Sequence, residues 1–181
     1  TEIEALRATS TRAAAQNGIE LTPLGGTIDE QGYHYSLVDA QVDRTARIAT
    51  ITVRAPAAPI ESTPAAIEAA GANWWPLKLQ RELDDAILQL RTNELETGTW
   101  VFKTRGDAQL LMQADAVLEA NKAHWLVRET IGALRRTLAR IDVTSRSLIA
   151  LVDEGACFAG TFYELAAACD RIYMLDLPDS P

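Results

Sequence analysis

Polar and apolar residues alternate over positions 47–53, where Thr50 and Thr52 separate Ala49, Ile51 and Val53. A period of two predicts a half-buried strand. An extended run over 33–38 precedes it, and polar Asp43-Arg44-Thr45 is short enough to fold the two runs into an antiparallel hairpin. Turn-forming residues fill 24–26 and 29–32. Further upstream, Ile3, Leu6 and the alanines at 13–15 predict a weak helix that Asn17-Gly18 stops. Residues 1–30 therefore read as an N-terminal helix and linker, and 31–181 as one domain.

Beyond the hairpin, Pro56, Pro59, Pro64 and Pro76 each lack a backbone N–H, so 54–78 reads as an irregular excursion with one helical turn around 65–70. The period then changes. Leu79, Leu83, Ile87 and Leu90 step along one helical face, and 99–103 follows as a strand. Asp107 is placed to cap a helix with Leu110, Leu111, Ala114 and Leu118 inside. A longer helix turns Val127, Ile131, Leu134, Leu138 and Ile141 inward, with Arg135, Arg136 and Arg140 outside. The unbroken apolar run 147–152 fits a strand buried on both faces, as in a parallel sheet. A helix over 161–169 and a strand over 171–175 complete a βαβ unit. The expected class is α/β, a parallel sheet entered through an N-terminal antiparallel hairpin.

Composition narrows the function classes. The 181 residues are 48% hydrophobic and 23% charged, and 17 Lys+Arg against 25 Asp+Glu leave a net charge of −8. An acidic chain repels a phosphate backbone, which argues against nucleic acid as a partner. No apolar run reaches the roughly 18–20 residues a membrane helix needs, and no secretory leader is visible. Cys157 and Cys169 are too few for a disulfide framework, and no Cys/His cluster suggests a metal. The expectation is a soluble, cytoplasmic protein. The start at Thr1 and the end on Leu177-Pro178-Asp179-Ser180-Pro181 read as cuts within a longer polypeptide.

Two strand-to-helix junctions are the candidate chemistry: Thr104-Arg105-Gly106-Asp107-Ala108 and the segment from Gly155 to Thr161. In a parallel sheet both lie at strand carboxyl ends, where ligands bind. Each starts a helix, whose first N–H groups lack intrahelical partners. Donors from Ala108 and from Gly160 or Thr161, converging on one point, would stabilise an oxyanion, each contributing about 3 kcal/mol. The competing reading is that these glycines only allow tight turns. Glu164 follows one helical turn after Gly160; beside Phe158 and Phe162 it would be desolvated and suited to proton transfer. Alternatively it is a solvated glutamate complementing the helix dipole. Arg135, Arg136, Arg140 and Arg146 could hold ligand phosphates or form a solvated face. His34 and His124 lack visible acid or nucleophile partners, so no triad is supported. Cys157 reads as a small buried residue, and the tryptophans as packing anchors.

Taken together, Ser147-Leu-Ile-Ala-Leu-Val-Asp-Glu-Gly-Ala-Cys-Phe-Ala-Gly160 and Glu164-Leu-Ala-Ala-Ala-Cys-Asp170 resemble the crotonase (enoyl-CoA hydratase/isomerase) superfamily. The resemblance covers about 33–176. It implies a crotonase-like (ClpP/crotonase) fold, truncated at the C-terminus, and an acyl-CoA thioester as substrate with no metal or redox cofactor. Ala72-Asn73-Trp74-Trp75-Pro76-Leu77-Lys78, Gly98-Thr99-Trp100-Val101-Phe102 and Arg128-Glu129-Thr130-Ile131-Gly132 are not general to the superfamily. They resemble the second half of its two-half branch, which opens an activated benzoyl-CoA ring with loss of formate.

The usual Gly-Gly-Gly loop is here Ala159-Gly160-Thr161, with one extra residue before Glu164, and Gly106-Asp107-Ala108 replaces the usual Ala-Gly-Ala-Asp. A second acidic residue expected beyond Asp170 would fall past the end of the chain. The resemblance therefore implies a structural half, with the catalytic half of the same chain and a homo-oligomer as partners. The alternative is a competent hydratase/isomerase-type domain using a two-amide oxyanion hole and Glu164.

Overall fold

The computed structural model of the chain describes residues 1–10 and 18–176. One seven-stranded sheet runs in strict chain order: β1 (Thr27–Asp29), β2 (Gly32–His34), β3 (Val38–Asp43), β4 (Ile48–Arg54), β5 (Thr99–Arg105), β6 (Ser147–Val152) and β7 (Arg171–Met174). Pairing is antiparallel from β1 to β4 and parallel from β4 to β7. The parallel sheet with an antiparallel entry is thus the observed architecture. The sheet begins at Thr27, inside the segment set apart above as helix and linker.

Among the described residues, six α-helices accompany it: α1 (Glu2–Ala8), α2 (Pro64–Ala70), α3 (Trp75–Asn93), α4 (Ala108–Ala120), α5 (Trp125–Asp142) and α6 (Gly160–Ala167). The N-terminal helix is observed only as α1, and the expected continuation over 13–15 lies outside the described residues. Two expected boundaries move outward. Pro76 sits in the first turn of α3, where its missing N–H has no helical partner to lose, so the helix starts earlier than 79. The excursion after β4 contains α2, capped by Thr63, whose hydroxyl accepts from the Ala66 N–H.

The expected strand over 33–38 is two strands. Glu82 of α3 is 2% exposed, and its carboxylate accepts from the Ser36 hydroxyl at 2.7 Å and the Leu37 N–H at 2.6 Å. These bonds stabilise a bend at Ser36 and satisfy a backbone donor that a straight ladder would have paired elsewhere. The hairpin partner of β4 is consequently β3, with Val38 opposite Val53 and Asp43 opposite Ile48.

Burial alternates along the strands. Val38, Ala40, Ala49, Ile51, Val53, Trp100, Phe102 and Leu148 face Leu79, Leu83, Ile87 and Leu90 of α3, with Phe162 and Leu165 of α6. A second core lies among the helices, where Ile67, Trp74, Leu77, Leu118, Leu126, Val127 and Leu134 close on each other. Between α3 and α5, Gln80 donates to the Thr137 hydroxyl at 3.1 Å, Thr137 donates to Asp84 at 3.0 Å, and Arg140 pairs with Asp84. The arrangement is therefore sheet, then α3 and α6, then α2, α4 and α5, all stacked on one face of the sheet.

Glu82→Ala leaves the Leu37 N–H and Ser36 hydroxyl without their acceptor. It is expected to destabilise the chain by about 3 kcal/mol, and Glu82→Gln by less, as measured by urea unfolding. Equal stability of Glu82→Ala and wild type would show that the bend does not depend on this carboxylate.

Candidate functional site

Parallel pairing of β4, β5 and β6 brings their carboxyl ends to one rim, with Arg54 beside Arg105 and Phe102 beside Ala150. Both predicted junctions lie on it. Gly106 has φ +127°, and a Cβ there would come within 2.7 Å of the Ala55 Cβ, so glycine is what lets the chain turn against the end of β4. The Ala55 N–H donates to the Arg105 carbonyl at 2.8 Å. Across the rim, the Cys157 N–H donates to the Thr104 hydroxyl at 2.8 Å, which ties the second junction to the first. Asp107 caps α4 as expected, accepting from the Gln109 N–H at 2.6 Å.

An ion cluster that sequence reasoning missed holds the rim. Asp153, directly after β6, accepts from Arg105 at 2.6 and 2.8 Å and from Lys103 at 2.9 Å. The Arg105 hydrogen bonds, with Lys103 beside them, hold the Asp153 carboxyl at about 2, against the opposing effect of partial burial. Its three residues come from two strands about fifty positions apart, so nothing local in the sequence marks them as partners.

One of the two candidate donors at the start of α6, the Thr161 N–H, is already bonded within the chain. Ala108 starts α4 at the first junction, and Gly160, with φ +45°, starts α6 at the second. Asp115, two turns along α4, accepts from the Thr161 N–H at 2.7 Å and from the Thr161 hydroxyl at 2.5 Å. A Cβ at Gly160 would collide with Asp115 Oδ2. The carboxylate thus lies against the positive end of α6, on the Thr161 N–H. Asp115 was not among the sequence candidates. Its only local signal is a carboxylate within the apolar, alanine-bearing stretch 110–118.

Glu164 is exposed, contrary to the desolvated setting considered for it. Phe162 turns into the core, 6.2 Å from Trp75, rather than against the glutamate. Glu164 and Thr161 instead line an open cleft of about 610 Å3 between α5 and α6, walled by Leu134, Leu138 and Ala168 with Arg135 and Asp142. Neither Ala108 nor Gly160 lines that cleft.

The remaining candidates disperse. Arg140 turns to Asp84, and Arg146 donates to the Thr97 carbonyl at 3.1 Å and stacks over Trp100, so the four arginines do not share one site. His34 does have acid partners, Asp39 at 2.6 Å and Asp29 at 3.2 Å, which raise its pKa; cross-strand pairing of β1, β2 and β3 supplies them. His124 faces Glu68 at 3.0 Å. Cys157 is buried and its thiol pushed up by that burial; Cys169 is pushed up to about 12 for the same reason. Among the described residues, no group of three His, Cys, Asp or Glu side chains is arranged to hold a metal, and no helix is long and apolar enough to cross a membrane.

Asp153 has an ordinary pKa of 3.8 and is held lower in the fold, so its contribution to stability is present above about pH 4 and is lost as pH falls through about 2. Asp153→Asn is expected to cost about 2 kcal/mol at pH 7, with the difference from wild type shrinking towards pH 2 in urea titrations. A loss of the same size at both pH values would mean that the ion cluster is not its source.

No family model matches the chain. An enoyl-CoA hydratase structure from Mycobacterium thermoresistibile, described as probable, aligns with 75% of this chain and 48% of its own at 20% identity and a TM-score of 0.37. The benzoyl-CoA-dihydrodiol lyase of Aromatoleum evansii is 58% identical over 177 residues, 98% of this chain. Those residues are 32% of the lyase, so the chain is similar, along nearly its whole length, to about a third of a benzoyl-CoA-dihydrodiol lyase.

Proposed function

We propose that this chain is one part of a benzoyl-CoA-dihydrodiol lyase-type enzyme, which opens an activated benzoyl-CoA ring with release of formate, and that its role within that enzyme is structural. Identity of 58% across 98% of the chain supports the enzyme class. The observation that carries the structural role is the Asp115 carboxylate seated on the Thr161 N–H and hydroxyl. An oxyanion hole works because its donors are free to meet charge that develops in the transition state. Here one of the two α6 candidates, the Thr161 N–H, already serves an internal carboxylate, and a thioester oxygen arriving beside it would meet a negative charge.

Glu164 fits the same reading. A general acid or base must lie within hydrogen-bond reach of the proton it moves. Glu164 opens onto the α5–α6 cleft, whose walls include Thr161, already bonded to Asp115, but neither Ala108 nor Gly160. In this proposal the acyl-CoA substrate is handled by the catalytic half of the same polypeptide, in the cytoplasm, and this part holds no cofactor. The competent hydratase/isomerase-type alternative requires Asp115 to leave Thr161 and a second donor to reach the cleft that Thr161 and Glu164 line.

The test is Glu164→Gln in the lyase-length polypeptide. Turnover of its benzoyl-CoA-derived substrate is expected to stay within about threefold of wild type, whereas loss of an acid/base group costs about a hundredfold or more. A loss of that size in a normally folded variant would assign proton transfer to Glu164 and overturn the structural role.

A further inference from the structure

One face of the sheet carries the helices, and the other is open across its parallel half. On the helix side of β4 and β5, Ala49, Ile51, Val53, Trp100 and Phe102 are fully buried, while the alternating residues Thr50, Thr52, Val101 and Lys103 are only half-buried. Antiparallel sheets commonly leave one face to solvent, but parallel sheets are almost always covered on both. The chemistry of the open face divides in the same way. On β3 it presents Asp39, Gln41 and Asp43, as a solvated face should. On β5 to β7 it presents Val101, Ile149, Leu151 and Tyr173, contiguous through the pairs Val101 with Ile149 and Leu151 with Tyr173. Tyr173, on the edge strand, is 50% exposed. Around this apolar strip stand Lys103 and Arg105, which share Asp153, and Arg171, in register with Ile149.

We infer that this face of β5–β7 is the docking surface for the remainder of a lyase-length polypeptide, which meets it with an apolar patch rimmed by carboxylates. The inference rests on the function proposed above. The chain spans 32% of the lyase it matches, so a polypeptide of that length brings about twice as much chain again to cover the strip. Charge selects the kind of occupant: Lys103, Arg105 and Arg171 outweigh Asp153 on a chain whose net charge is −8. A second copy docking by the same face in a two-fold contact would set these cations against themselves.

Tyr173 and Tyr163 give matched reporters, since they are 50% and 58% exposed in this chain. Hydroxyl-radical footprinting of the lyase-length polypeptide, folded and in urea, measures each against its unfolded rate. Tyr173 is expected to be protected about tenfold or more at all protein concentrations, and Arg171→Glu, which reverses a charge beside the strip, is expected to release it. Smaller protection of Tyr173, or protection unchanged by Arg171→Glu, overturns the proposal. Protection that disappears on dilution overturns it in favour of a second copy. Failure at Tyr173 with lyase turnover intact in Glu164→Gln removes the docking face alone, whereas absence of lyase activity from the wild-type polypeptide removes the reading beneath it.

Discussion

Parallel pairing of β5 with β6 is the constraint from which the rest of the molecule follows. With Phe102 beside Ala150, the two strands end together, and the turns that follow them must share a rim. Thr104 and Cys157 bond across that rim, and Arg105 and Lys103 clamp the first residue after β6. Parallel strands need long crossovers, which here are α4 with α5 and then α6. Because α4 and α6 start at neighbouring strand ends, a side chain two turns along one reaches the first turn of the other. Asp115 does so.

That contact separates fold from chemistry. A helix start at a strand carboxyl end is a ready anion site, and two of them on one rim are the raw material of an oxyanion hole. Here the anion is supplied internally. The φ of +45° at Gly160 and its lack of a side chain admit the Asp115 carboxylate beside the Thr161 N–H.

The helices bury two cores on one side of the sheet. The core against the sheet centres on Trp100, Phe102 and Phe162, and the helical core on Trp74, Ile67 and Val127. The antiparallel strands can tolerate an open face because Asp39, Gln41 and Asp43 occupy it. The parallel strands carry valine, isoleucine and leucine there, a composition suited to a face that is covered.

By itself the sequence determined the local elements and their class. The two-residue alternation of β4, the leucine spacing of α3, the apolar run of β6 and the Asp107 cap each express a period or a capping bond formed within a few residues. It also marked both junctions and the similarity to part of a benzoyl-CoA-dihydrodiol lyase, because those depend on residue order alone. Only the tertiary structure decided which side chains meet at the junctions. Glu82 splits an apparent strand from 46 positions away, Asp153 takes two cations from a neighbouring strand, and Asp115 fills the end of α6 from another helix. Each is a charged side chain whose partner is set by packing in space, and a carboxylate's choice among distant donors leaves no periodic trace along the chain.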